Sequence, residues 1–265
     1  MNVFECYNLR IDILIIEIFY FSHKQKTIFL RLKQTENMGN KQQVRINETI
    51  LGPFERPALQ WFAKHMPYWI NSDHLTTIGF LGSLCVFAGF GLTTFHPAYA
   101  WLACAGFIIN WFGDSLDGTL ARYRKIERPN YGFFIDHIID SISIFLIYTG
   151  LGLSPYVSLE IALLGVIGYL LMSIYTYLIT YIEGVFKISY GKIGPTEVRV
   201  FGIMICILIY IFGTFQINVA LPFYRSITFF DILIILLSIT FFVTFVCSSL
   251  KTARILERKD SEKLQ

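Results

Sequence analysis

Charged side chains are scarce in this chain. Lys, Arg, Asp and Glu make up 15% of its 265 residues, whereas a soluble domain carries roughly 25%. Hydrophobic residues reach 54%, and the mean hydropathy is +0.55. That much apolar mass exceeds what one aqueous core can hide, so an ordinary soluble domain is excluded and a membrane becomes the expected solvent. There is no strong excess of either charge: the formal net charge is +3, which gives a nucleic-acid partner no support. Cysteine is sparse and unpatterned. Cys6, Cys85, Cys104, Cys206 and Cys247 show no CxxC spacing, and four of the five sit inside apolar runs. They read as small packing residues rather than disulfides or metal ligands. No secretory leader is expected either. The apolar run Ile11–Phe21 is too short to cross roughly 30 Å of hydrocarbon; it contains Asp12 and Glu17, and no small-residue cleavage site follows. The chain after Met38 reads as one coherent protein, so Met38 is a candidate start and residues 1–37 are expected to be an N-terminal extension that is dispensable or a misassigned start.

Residues 38–71 are expected to be a cytoplasmic segment holding an amphipathic helix. From Pro57 to Met66, helical spacing gathers Leu59, Phe62, Ala63 and Met66 on one face, with Gln60 and Lys64 elsewhere. Pro57 suits a first helical turn and Pro67 ends the helix. Such a helix lies in the membrane interface or packs on its neighbours. Residues 72–254 then hold six expected spans, at about 75–95, 97–122, 132–152, 156–182, 196–215 and 229–250. Each has the roughly 20 apolar-dominated residues that a crossing needs.

Lys and Arg fall on alternate loops. One side holds Lys41, Arg45, Arg56 and Lys64, then Arg122, Arg124, Lys125 and Arg128, then Lys187 and Lys192, and finally the tail with Lys251, Arg254, Arg258 and Lys259. Loops on the other side have Arg225 alone. The positive-inside rule then puts both termini in the cytoplasm, with 255–265 as a cytoplasmic tail. The expected fold is all-α: a polytopic membrane protein of six transmembrane helices preceded by an interfacial amphipathic helix.

Acidic residues concentrate at two span ends. Asp114 and Asp117 are three apart near the end of the second span; Asp136 and Asp140 are four apart near the start of the third. Each pair shares a helix face, and the short connection makes the spans expected neighbours, so all four carboxylates can converge at one depth. Unpaired, they are costly there. Arg122 and Arg124 could neutralise some of them; two divalent cations would match all four formal charges. Oxygen ligands select Mg²⁺, Mn²⁺ or Ca²⁺ over zinc, and a two-metal carboxylate site is a general device for phosphoryl transfer. Gly118 and Ala121 remove bulk where a ligand could approach, and Arg122 presents a fork suited to phosphate.

The pattern D-x-x-D-G-x-x-A-R, nine residues, then G-x-x-x-D-x-x-x-D is complete at Asp114, Asp117, Gly118, Ala121, Arg122, Gly132, Asp136 and Asp140. It resembles the signature of the CDP-alcohol phosphotransferase family, and the likeness extends over about residues 56–254. The resemblance implies a CDP-linked donor, either CDP-diacylglycerol or a CDP-aminoalcohol, in a cytoplasm-facing cavity. It implies cytidine against Gly118 and Ala121, two Mg²⁺ or Mn²⁺ ions on the four aspartates, attack by an alcohol acceptor, release of CMP, and a homodimer. Asp136-His137-x-x-Asp140-Ser141 and Gly194-Pro195-Thr196-Glu197 also resemble stretches of choline and ethanolamine phosphotransferases. That likeness makes His137 and Asp140 candidate bases and places Glu197 and Arg199 by the alcohol. Phosphate-bearing acceptors remain open, with Lys187, Lys192 and Arg199 available. Two other classes compete: a cation transporter using intramembrane acids, and an inactive scaffold. The acids cluster at one end of two spans and no motif position is missing, which favours the transferase.

Overall fold

The computed structural model describes residues 44–46, 49–183, 185–187, 194–214, 216–217 and 227–263; the 1–37 extension lies outside them. Seven α-helices dominate the described residues. They are α1 (Gly52–His65), α2 (Ser72–Leu92), α3 (Ala100–Arg124), α4 (Pro129–Gly152), α5 (Leu159–Glu183), α6 (Pro195–Phe212) and α7 (Phe229–Lys263). A 3₁₀ turn, Pro97–Tyr99, leads into α3. Two short strand pairs complete the description: β1 (Val44–Ile46) parallel to β2 (Val185–Lys187), and β3 (Gln216–Ile217) antiparallel to β4 (Ile227–Thr228).

Five helices, α2, α4, α5, α6 and α7, are long and apolar enough to cross a membrane. The chain is therefore a helical membrane protein. The sixth expected span, α3, has 25 residues but carries Asp114, Asp117, Arg122 and Arg124 in its second half. Apolar stripes run along the outside, as on α4 with Tyr131, Phe134, Ile138, Ile142 and Phe145 exposed at helical spacing. Against lipid such a stripe is satisfied solvent contact. Helix α7 continues past the expected end near Leu250 to Lys263, where the sequence turns charged.

Helices α2 and α3 form the closest crossing, an antiparallel seam of glycines. A Cβ built on Gly113 would sit 2.3 Å from the Gly79 nitrogen, one on Gly82 2.4 Å from the Asn110 nitrogen, and one on Gly89 2.4 Å from the Ala103 nitrogen. Backbone meets backbone, as small residues permit in membrane helices. Helix α6 packs on α3, with Gly202 against the Phe107 ring, and α7 packs on α5. The main core gathers Phe90, Phe107, Tyr156, Ile205 and Ile209.

Two local expectations are modified. Helix α1 starts at Gly52, so Pro53 rather than Pro57 occupies its first turn; a side chain from α6 fixes that start, as described below. Its expected apolar face holds: Leu59 and Ala63 are buried with Leu75, Leu116 and Leu120, and Phe62 and Met66 pack beside them. Helix α4 lies chiefly on α2 and α5 rather than on α3.

Gly82→Ala is expected to destabilise the chain by about 1–3 kcal/mol through overpacking against Asn110. Gly91→Ala, where a Cβ meets nothing within 4 Å, is expected to be neutral or stabilising. Thermal unfolding of both variants in detergent checks the pair.

Candidate active site

Asp114 and Asp117 lie in the second half of α3, and Asp136 and Asp140 in the first half of α4. The connection, Lys125–Arg128, is short because Lys125 adopts the left-handed conformation (φ 57°) and Pro129 begins α4. Asp117 is buried; the other three are partly buried. The charges of Asp114, Asp136 and Asp117 all bear on Asp140, with Arg199 as the opposing cation. Asp140 thus lies within electrostatic reach of the other three.

Each α3 carboxylate is held. Asp117 accepts from the Thr76 hydroxyl of α2 at 2.6 Å and from the Gly118 N–H at 2.5 Å, and its carbonyl accepts from Ser72 at 2.9 Å. Asp114 accepts from Arg199 Nη2 at 2.6 Å. Arg199, at the start of α6, is 9% exposed. Its Nε donates to Asn110 Oδ1 at 2.6 Å, while its buried Nη1 has no hydrogen-bond partner among the described residues. A buried arginine in such company is held by charge and costly to unpair, about 3–5 kcal/mol in comparable ion pairs.

The nearer arginines have other tasks. Arg124 donates to the carbonyls of Met66 and Pro67 at 3.0 and 2.9 Å and of Ile70 at 2.5 Å, fastening the turn between α1 and α2. Arg128 pairs with Asp73 and lies 4.3 Å from the Tyr131 ring centroid. Arg122 is exposed and donates to Thr119 at 3.2 Å. Its guanidinium covers Gly118, where a Cβ would lie 3.2 Å from Nη1. Ala121 is partly buried one turn along. Gly118, Ala121 and Arg122 thus form a low surface topped by one cation.

His137 packs between Phe133, at 4.1 Å between ring centroids, and Tyr177 of α5, stacked at 4.7 Å. Both its ring nitrogens are buried. Tyr177 and Tyr169 of α5 also feel the charge of Asp140. Glu197 sits apart from the aspartates. Its two oxygens accept from the backbone N–H of Leu51 and of Gly194, each at 2.8 Å, so one carboxylate caps α6 and fixes the start of α1. Glu55 reinforces that joint by accepting from Trp111 Nε1 and Thr196 Oγ1, both at 2.8 Å.

Asn110, Thr76, Tyr169 and Tyr177 belong to this neighbourhood and were not expected from sequence. Only Asn110 carried a signal there, as an amide inside an apolar run one helical turn before Asp114.

The donor set fits hard divalent cations: carboxylate oxygens only, with four formal negative charges on two helix ends. As placed, no three His, Cys, Asp or Glu side chains among the described residues close on a common point.

A family model described as CDP-alcohol phosphatidyltransferase matches residues 69–246. Among curated proteins, an archaetidylinositol phosphate synthase of Methanothermobacter thermautotrophicus is 32% identical over 130 residues. That match covers 48% of this chain and 63% of the relative, so it falls short of two thirds of the relative's length.

Glu197→Ala is expected to lower stability by about 1–2 kcal/mol, the usual cost of a lost helix cap, with Glu197→Gln less affected. Thermal unfolding checks this; full stability in Glu197→Ala would contradict the capping role.

Proposed function

This chain belongs to the CDP-alcohol phosphatidyltransferase family, and from that premise we propose that it transfers a phosphatidyl or phosphoalcohol group from a CDP-linked donor to an acceptor hydroxyl, releasing CMP. The observation that carries the reading is the placement of Asp114 and Asp117 at the end of α3 and of Asp136 and Asp140 at the start of α4, across a short connection, with the buried Arg199 paired to Asp114. Isolated acids at a membrane helix end are expensive, so such a group argues for a function.

Asp114, Asp117, Asp136 and Asp140 would hold two Mg²⁺ or Mn²⁺ ions, which supply charge neutralisation to a pyrophosphate and its leaving group. The chain's own groups do the rest. The low surface at Gly118 and Ala121 admits the cytidine, and the Arg122 fork above it pairs with phosphate oxygens. The acceptor oxygen bonds to the β-phosphorus as the bond from that phosphorus to the CMP oxygen breaks. The hydroxyl proton passes to Asp140 or His137. Asp140 suits this better, because the His137 ring is pinned between Phe133 and Tyr177.

On the acceptor side, Arg199 offers a buried, unengaged Nη1, which favours an anionic group over a cationic one. The name of the relative, an archaetidylinositol phosphate synthase, favours an inositol phosphate lipid as the kind of product. The second reading, a CDP-aminoalcohol donor, rests on His137, Asp140, Ser141 and the Gly194–Glu197 stretch. It is weakened because both oxygens of Glu197 are engaged by backbone N–H groups. The alternation of Lys and Arg supports a cytoplasm-facing site.

Purified protein with Mn²⁺ is expected to release CMP from CDP-diacylglycerol with a phosphorylated polyol, and to lose about 100-fold or more in turnover as Asp140→Asn. Turnover confined to CDP-choline or CDP-ethanolamine with a lipid acceptor would establish the second reading. No CMP from any donor, with folded protein, would contradict both.

A further inference from the structure

Asn110 is buried in the middle of α3, and both ends of its amide are engaged. Nδ2 donates to the Gly79 carbonyl at 3.0 Å and to Ser83 Oγ at 2.9 Å, both on α2. Oδ1 accepts from Arg199 Nε of α6 at 2.6 Å. The two donors fix which way the amide faces: Nδ2 must meet two acceptors on α2, so Oδ1 must face α6. A buried guanidinium can rotate about its last bonds unless its nitrogens are individually held. Here Nε is held by Asn110 and Nη2 by Asp114, which leaves Nη1 without a partner among the described residues. The charge so held bears on Asp140 and Tyr169 as well as on Asp114.

We infer that Asn110 is a positioning residue: it orients Arg199 so that one guanidinium edge is spent on Asn110 and Asp114 and Nη1 is kept for the reaction centre. This rests on the reading of the aspartate group as that centre. The seam supplies the rigidity. Gly106 and Gly113 let α2 approach α3 backbone to backbone on either side of Asn110, so the amide is anchored to two helices while it holds a side chain from a third. Substitution by alanine leaves the glycine contacts in place and removes only the amide.

Two measurements test this. The first is a double-mutant cycle on CMP release with Asn110→Ala, Arg199→Gln and both together. Asn110→Ala is expected to cut kcat about tenfold or more. Adding it to Arg199→Gln is expected to cost little further, because the residue it orients is already gone. Asn110→Asp, which keeps an oxygen facing Arg199, is expected to recover part of the loss. Full additivity of the two single variants, or a fall in thermal stability with unchanged kcat in Asn110→Ala, would overturn the inference and leave Asn110 as packing alone.

The second measurement does not depend on turnover. In protein labelled with ¹⁵N-arginine, the Arg199 Nε–H resonance, identified by its loss in Arg199→Lys, is expected to exchange slowly with water and to lose that protection in Asn110→Ala. An Nε–H equally protected in Asn110→Ala would overturn the pairing. If wild-type protein releases no CMP from any donor, the reading of the site fails, while the Nε–H signal still decides whether Asn110 holds Arg199.

Discussion

The glycine seam between α2 and α3 is the constraint on which the rest depends. Wherever Gly79, Gly82, Gly89, Gly106 and Gly113 meet the facing helix, a single added carbon would come within about 3 Å of backbone or of a neighbouring side chain. That proximity lets short side chains on α2 reach α3. The Thr76 hydroxyl reaches Asp117, and the Gly79 carbonyl reaches Asn110. Two bulkier helices would hold their axes too far apart for either bond. The seam therefore sets the position of the first aspartate pair before any ligand is considered.

The opposite wall is α4, which leans on α2 and α5 instead of closing on α3. Arg199 arrives from α6, distant in sequence, and salt-bridges Asp114. The arginines adjacent in sequence serve elsewhere: Arg124 holds the α1–α2 turn, and Arg128 holds Asp73. Reach decides this division. Arg124 is at the last position of α3, beside the Met66–Ile70 turn and beyond the helix turns that carry Asp114 and Asp117.

Much of this was legible in the sequence. Apolar runs of sufficient length located the five long apolar helices, because a bilayer imposes length and apolarity on any crossing helix. The paired aspartates were legible because helical spacing converts three and four residues into one face. Other features depended on packing between elements far apart in the chain. Pro195 before it marks Glu197 as a helix N-terminal acid as readily as a ligand group, but nothing near it says that Leu51 will place its N–H there and join the start of a second helix to it. Asn110 stood out only as an amide in an apolar run; its task follows from Ser83 and Arg199, which no spacing rule connects to it. The α1 start moved to Gly52 for the same reason, since a distant carboxylate stabilises it.

The central claim is that Asp114, Asp117, Asp136 and Asp140 act as one site for divalent cations. The most direct measurement is Mn²⁺ binding to purified protein, followed by electron paramagnetic resonance of the free ion. The account predicts two ions per chain with a CDP-linked donor present, and loss of at least one in Asp117→Asn while the fold is retained. Binding that is absent, or unchanged in Asp117→Asn and in Asp136→Asn, would contradict it.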